Sequence, residues 1–201
     1  MTKKKKVLAG LSNIHFAPLV DGTYKTPVPI LFAKIENKLE YENDQEWADD
    51  KVVENGYDFV GGEGTLTVLA LTSEEQALLF GNTIVKGGIK VNSGDVSPQG
   101  AFLFERKKKR STHKRLYVIY NCVCSPTSIS AETIEDGKGE GSTDEISYSI
   151  GEGENGDIYH YIDTDDESVV ADAVSNWFKQ VQFPQNIELE ESQVRKVSNK
   201  K

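Results

Sequence analysis

Short segments in which apolar and polar residues alternate recur along the chain, and they predict a protein built mainly from β-strands. Residues 64–71 (GTLTVLAL) alternate threonine with leucine, valine and alanine, so one face of the predicted strand is apolar. Residues 144–150 alternate in the same way, with Ile146 and Tyr148 directed inward. Residues 116–124 (LYVIYNCVC) are apolar on both faces, which predicts a strand that is covered on both sides, by a second sheet or helix inside and by a neighbour outside.

Residues 72–81 (TSEEQALLFG) carry the signals of a short helix. Ser73 is followed three residues later by Gln76, which is the spacing of a capping box. Gly81 can adopt the left-handed conformation that ends a helix. We predict that Ala77, Leu78 and Phe80 of this helix plug an open sheet edge or the end of a barrel.

A second short helix is predicted near the carboxyl end. It begins near Thr164, whose hydroxyl can cap the first turn, and Pro184 bounds it. Apolar pairs recur every four residues in between and end in Trp177 and Phe178. These two rings are predicted to anchor the helix on the sheet.

The remaining segments are predicted to be loops and arms of a single domain that spans residues 1–201. Residues 41–58 form a long acidic loop in which Lys51 is the one basic residue. Residues 1–9 and 185–201 are predicted to be amino-terminal and carboxyl-terminal arms. Loops of this length are usually functional or mobile.

Charge is distributed unevenly along a chain whose formal net charge is -9. Lys and Arg are concentrated in residues 103–115, and Asp and Glu in residues 131–170. Such separation creates a field that affects association and repels some polymers. The basic run 106–110 (RKKKR) contains no stacking aromatic residue, which favours a solvated hairpin tip over a nucleic-acid site.

The sequence predicts no catalytic, cofactor or metal site, and we expect that the protein is not an enzyme. Residues 151–156 match G-x-G-x-x-G, but their glutamates would face the phosphates of a dinucleotide. Residues 163–167 supply carboxylates without the glycine that a calcium loop needs at its sixth position. Cys122 and Cys124 are expected to be reduced thiols on one face of a strand.

No stretch approaches the roughly 20 apolar residues of a membrane helix. The basic residues after Met1 do not lead into an apolar run of signal-peptide length. We therefore expect a soluble protein that is made in the cytoplasm and has no membrane partner.

Six segments, by their order and spacing, resemble the major tail proteins of siphophages that infect Gram-positive bacteria. They are residues 7–18 (VLAGLSNIHFAP), 22–30 (GTYKTPVPI), 47–53 (WADDKVV), 61–81, 102–122 and 176–184 (NWFKQVQFP). No single segment is specific to that family, but together they span nearly the whole chain.

The resemblance implies a β-sandwich or β-barrel of the tail tube type, with a short flanking helix. Subunits of that family form hexameric rings, which stack into a hollow tube through which phage DNA passes without specific binding. It also implies a virion tail as the location, synthesis in the bacterial host cytoplasm, and the tape measure and other tail proteins as partners. The 41–58 loop and the arms would join one ring to the next.

The residues predicted to contact neighbouring subunits carry charge or aromatic rings and lack the periodicity of core residues. On the 41–58 loop they are Tyr41, Glu42, Asp44, Trp47, Asp49, Asp50 and Lys51, and on the basic run they are Arg106, Lys107 and Lys108. Opposite charge favours contact between these two groups.

Two other classes of protein stay open at this point. A tube protein of a related contractile injection or secretion system would have the same kind of fold. A ligand-binding β-barrel would need a large apolar cavity. A hydrolase is disfavoured because a nucleophile, a base and an orienting group are missing as a set.

Overall fold

The computed structural model describes residues 6–48, 50–126 and 143–184. In chain order, its elements are β1 (Leu8–Val20), β2 (Thr23–Tyr24), β3 (Val28–Pro29), β4 (Lys34–Ala48), β5 (Lys51–Val68), α1 (Ser73–Phe80), β6 (Thr83–Val85), β7 (Gly88–Lys90), β8 (Gln99–Lys108), β9 (Lys114–Cys124), β10 (Asp144–Ile150), β11 (Tyr159–Asp163) and α2 (Ala171–Asn176). The prediction of a mainly β fold with two short helices is confirmed.

Nine of the strands form one antiparallel sheet in the order β2-β1-β8-β9-β10-β5-β4, with β3 also paired to β1 and β11 to β9. One edge of β9 is divided between two strands, because β11 pairs with its first half and β10 with its last three residues. Cα atoms of β1 and β4 approach within 8 Å although the two strands lie near opposite ends of this order. The sheet therefore curls into a partly closed barrel.

The main core lies on one face of this curved sheet. Phe102 packs against two other rings, with centroids 4.9 Å from Phe16 and 4.6 Å from Tyr148. Helix α1 adds Leu79 and Phe80, which are both buried. Aromatic side chains from three strands therefore fill the space that the sheet encloses.

A second core lies on the opposite face of β1, β8 and β9. Its buried members are Ala17, Ala101, Leu103, Leu116, Val118, Tyr120 and Trp177. Val174, Phe178 and Val181 pack against them, so α2 and the chain after it cover this face.

Strand β9 contributes to both cores because its side-chain alternation changes phase at Asn121. Val118 and Tyr120 belong to the second core, whereas Cys122 and Cys124 belong to the main core. Asn121 has a φ of 47°, and the register between β8 and β9 shifts at this position, as in a β-bulge. The prediction that this strand is covered on both faces is confirmed, but both covers come from the same chain, so the prediction of a neighbour outside is wrong.

Burial confirms the alternation predicted for two strands. In β10, Ile146, Tyr148 and Ile150 are buried and the residues between them are exposed. In β5, Leu66 and Val68 are buried, but the strand ends at Val68, and the following residues through position 70 are exposed.

The capping box of α1 starts one residue earlier than predicted. Thr72 has an extended backbone, and its Oγ1 accepts the Glu75 backbone N–H at 3.2 Å. The Glu75 carboxylate accepts the Thr72 backbone N–H at 2.9 Å in return. Gly81 takes the left-handed conformation with a φ of 70°, as predicted.

The predicted start of the second helix is wrong, since α2 begins at Ala171. The Thr164 hydroxyl accepts the backbone N–H of Lys114 at 2.9 Å instead of capping a helix. Asp166 Oδ1 accepts the backbone N–H of Ser168 at 3.0 Å, which stabilises a turn at this point. Local side-chain hydrogen bonds therefore replace the first helical turns.

The predicted arms differ from the structure where they can be compared. The strand β1 already begins at Leu8, and Leu8 pairs with Lys108, so residues 8 and 9 belong to the sheet. The carboxyl-terminal arm 185–201 lies outside the described residues.

Candidate assembly surfaces

The prediction that residues 41–58 form a loop is wrong, because they belong to a long hairpin of β4 and β5. The pairing runs from Lys34 opposite Thr67 to Ala48 opposite Lys51. Strand β10 accompanies β5 only from Gly62 to Val68. Beyond that point no other strand of the described residues pairs with the hairpin, and we call this part the ribbon (Tyr41–Ala48 and Lys51–Phe59).

The ribbon reverses direction between Ala48 and Lys51, which pair with each other. Asp50 has a φ of 60°, a left-handed conformation that aspartate tolerates better than most residues. Asp49, one of the predicted contact residues, lies outside the described residues. Asp50 and Lys51 are exposed at the end of the ribbon.

One side of the ribbon is acidic. Directly opposed residues share a face, and Glu42 lies opposite Asp58 and Glu46 opposite Glu54. Asp44 lies two residues from each of these glutamates on β4 and is therefore on the same face. We call these five residues the acidic face: Glu42, Asp44, Glu46, Glu54 and Asp58. Like charges at opposed positions destabilise a strand pair, typically by a few tenths to about 1 kcal/mol. Within the described residues, no carboxylate of the acidic face has an ion pair or a hydrogen bond.

The other side of the ribbon carries aromatic rings. Tyr41 lies opposite Phe59, and their ring centroids are 5.6 Å apart. Trp47 lies an even number of residues from Tyr41 on β4, and Tyr57 lies an even number from Phe59 on β5, so both are assigned to the same face. They are 65% and 68% exposed. These four residues form the aromatic face, which leaves a large apolar area in water.

Four further residues of these two faces lie inside the predicted segment but were not singled out from the sequence, namely Glu46, Glu54, Tyr57 and Asp58. A signal was present in residues 41–47 (YENDQEW), where every second residue is acidic and the others are neutral. This period of two is typical of a strand with unlike faces. The high content of Asn, Asp and Glu, which are rare in strands, favoured the loop instead.

The second charged surface is the end of the β8–β9 hairpin, which we call the basic hairpin (residues 106–115). Arg106 lies opposite Arg115, and Lys107 lies opposite Lys114. Lys114 and Arg115 are neutralised within the chain, by Glu105 at 2.7 Å and by Asp163 at 2.7 Å. Arg106 and Lys107 are exposed, as predicted for a solvated hairpin tip.

Lys108 was predicted to contact a neighbouring subunit, but its side chain is 2% exposed. Its ammonium group lies 3.0 Å from Asp163 Oδ1 and also binds the Asp165 carboxylate. Burial opposes the charged form of Lys108, but its hydrogen bonds to Asp165 and Asp163 outweigh that effect and raise its pKa. Lys108 therefore joins the basic hairpin to the chain after β11, and it is not available to a partner.

Arg115 completes this charge cluster, in which Lys108 is buried and the other members are partly buried. Its Nε and a terminal nitrogen bind the two oxygens of Asp163 at 2.8 and 2.7 Å, a bidentate pair. Its guanidinium also lies 4.1 Å from the centre of the Tyr161 ring. The hydrogen bond from Arg115, followed by the one from Lys108, holds the pKa of Asp163 below its ordinary value.

Trp177 and Phe178 lie just after α2 and hold that end of the chain on β9 and β1. The Trp177 side chain is 1% exposed and belongs to the second core. The Phe178 ring is partly buried, with its centroid 4.8 Å from the His15 ring.

The outer face of β4, β5 and β10 is polar, and its lysines are paired with neighbouring carboxylates. The Lys34 ammonium lies 2.5 Å from Glu36, and the Lys38 ammonium lies 2.8 Å from Glu40. Ser147 and Ser149 alternate outward on β10. This face therefore presents hydroxyl groups and carboxylates with few unpaired cations.

The segments whose sequences resemble cofactor or metal sites use their polar groups for contacts within the fold. In residues 151–156, the Gly153 N–H donates to the Asp157 carbonyl and the Gly156 N–H donates to the Gly153 carbonyl, so these amides are already used. No group of metal-binding side chains occurs in the part of the chain that the structure describes. No helix there is long and apolar enough to cross a membrane.

No protein-family model and no curated protein matches the chain. Among solved structures, the fold is similar to a chain of the PVC sheath-tube complex, an extracellular contractile injection system in its extended state, with 10% identity and a TM-score of 0.43 over 75% of this chain and 88% of that chain. It is also similar to the tube-terminating cap of the anti-feeding prophage, with 10% identity and a TM-score of 0.39 over 75% of this chain and 87% of that chain. At this identity and these scores, neither likeness carries an argument about function.

Proposed function

We propose that this protein is the tube subunit of a phage tail, a structural protein that assembles with copies of itself into stacked hexameric rings. The observation that carries the proposal is the ribbon. A lone two-stranded hairpin is marginally stable in water, and this one opposes like charges on one face while exposing three large rings on the other. Such an element gains its stability from a second surface, which a sister subunit supplies.

The polar outer face of β4, β5 and β10 supports a bore that conducts DNA. A wall of hydroxyl groups and carboxylates repels phosphates weakly and offers few cations that could hold them. The siphophage tail, with its tape measure protein and other tail proteins, is the setting that we propose for this tube.

A ligand-binding β-barrel is a weaker proposal because of how the main core is filled. Phe16, Phe102 and Tyr148 pack ring against ring where such a barrel would hold its ligand. A depression of about 430 Å³ near Glu36 and Ser147 on the sheet is open and mainly polar.

The proposal is tested by sedimentation velocity and negative-stain electron microscopy of the purified protein over a range of concentrations. We expect rings or tubes with a central hole. A protein that stays monomeric at every concentration and salt condition contradicts the proposed function.

A further inference from the structure

We propose that the acidic face of the ribbon binds the basic hairpin of a second copy of this chain. The inference rests on the proposed function, because it names the surface that the ribbon meets in the assembly. Both surfaces belong to every copy, so each subunit can give one contact and receive another. Contacts of this head-to-tail kind close into rings when the rotation between copies allows it.

The first argument is that the two surfaces have complementary charge. On the ribbon, Glu46 opposes Glu54, and these carboxylates have no cation within the described residues. On the basic hairpin, Arg106 opposes Arg115 and Lys107 opposes Lys114. The ribbon therefore presents carboxylates and the basic hairpin presents cations.

The second argument is that the chain neutralises only part of its basic hairpin. Lys108, Lys114 and Arg115 are occupied by Asp163, Asp165 and Glu105. Arg106, Lys107 and Lys109 are exposed, and none of the three has an ion pair in the described ranges. These three cations can receive carboxylates from outside the chain.

The third argument is the register of the sheet. Gly62 of β5 pairs with Ile150 of β10, which pairs with Cys122 of β9. Strands β5 and β9 are therefore parallel to each other, and both continue past Ile150 toward the same end of the sheet. Glu54 lies eight residues before Gly62, and Arg115 lies seven residues before Cys122.

The acidic face and the basic hairpin thus lie at about the same height along the strands. A copy that is rotated about an axis parallel to the strands keeps this height. It can therefore place its ribbon beside the basic hairpin of the first copy without a shift along the axis. Copies related in this way are neighbouring subunits within one ring.

The test uses two charge-reversed full-length proteins. One carries Glu46→Lys with Glu54→Lys, and the other carries Arg106→Glu with Lys107→Glu. Under conditions in which the unaltered protein forms rings, we expect each variant alone to need a protein concentration about tenfold higher or more. An equimolar mixture of the two should assemble again, because each supplies the charge that the other now needs.

The matched control for the ribbon variant is Glu63→Lys with Glu145→Lys, which makes the same change of net charge as Glu46→Lys with Glu54→Lys, but on the outer face of the sheet. This control should assemble like the unaltered protein, and circular dichroism should show that all variants keep the same fold. Raising the salt concentration should weaken assembly of the unaltered protein by screening.

Three results would overturn the inference. They are normal assembly of the ribbon variant, failure of the folded mixture to assemble, and rings of the ribbon variant that form normally but do not stack. Failure of the unaltered protein to assemble is a different result, because it contradicts the proposed function itself.

Discussion

The indole Nε1 of Trp177 donates a hydrogen bond of 3.2 Å to the backbone carbonyl oxygen of Tyr117, on the middle strand of the sheet. Trp177 follows Asn176, the last residue of α2, so it lies at the end of the helix. Its ring fills the second core, and its polar group is satisfied there. One side chain thus attaches the carboxyl-terminal segment to β9 in two ways.

Replacing Trp177 with alanine should therefore destabilise the monomer by about 3–5 kcal/mol, the range for removing a large buried aromatic side chain. The matched control is Trp47→Ala, since Trp47 is 65% exposed on the ribbon and should change monomer stability little. Urea unfolding of both variants measures the difference. Equal effects of the two substitutions would contradict the role of Trp177 as an anchor.

Lys108→Met should lower the free energy of unfolding by about 3 kcal/mol, because it leaves Asp163 and Asp165 without their buried cation. The value lies at the low end for a broken buried ion pair because both carboxylates keep some contact with water. Lys107→Met is the control, with an expected change within about 0.5 kcal/mol. If both variants unfold at the same urea concentration, the buried cluster does not stabilise the fold.

The charge cluster also predicts an acid-sensitive contribution to stability. The pKa of Asp163 is lowered in the folded protein, so its stabilising effect is complete above its unfolded pKa of about 3.9 and is lost as the pH falls below that value. Asp163→Asn should therefore cost stability at pH 6, and the difference from the unaltered protein should shrink as the pH falls below about 4. Unfolding measured at several pH values tests this, and a constant difference would refute it.

Cys122 and Cys124 should be unreactive in the native protein. Burial raises the pKa of the Cys124 thiol to about 12 and that of Cys122 even further, so almost no thiolate exists at neutral pH. A thiol reagent at pH 8 should modify neither residue until denaturant is added. Rapid reaction of the folded protein would show that this part of β9 opens frequently.

Duplex DNA should not bind the protein at physiological salt. The net charge is -9, and Lys108, Lys114 and Arg115 are already paired with carboxylates of the chain. A gel-shift assay of the monomer and of the assembled protein measures binding. A salt-sensitive shift near physiological ionic strength would show that the basic hairpin holds DNA, against our proposal for the bore.

The sequence was sufficient to predict the strands whose alternation reflects a buried face. In β10, every second side chain enters the main core, so hydrophobicity and position agree. The ribbon could not be recognised in this way, because neither of its faces is buried within the chain. Acidic and neutral residues alternate along it, so a search for alternating apolar residues does not detect this strand.

Whether an individual basic residue is buried and paired or exposed also depends on distant parts of the chain. Lys108 has the same residue type as its neighbours in the run 106–110, but the fold places Asp163 and Asp165 beside it. These residues are more than 50 positions away in the sequence. A local charge count therefore gives the sign of this surface without showing which of its cations are exposed.

The bulge at Asn121 allows a single strand to belong to two cores at once. Tyr120 is buried in the second core and Cys122 in the main core, with only Asn121 between them. Neither core can lose β9 without the other losing it too. The two hydrophobic cores are therefore mechanically and thermodynamically linked, and the domain should unfold in a single cooperative transition despite having two separate interiors.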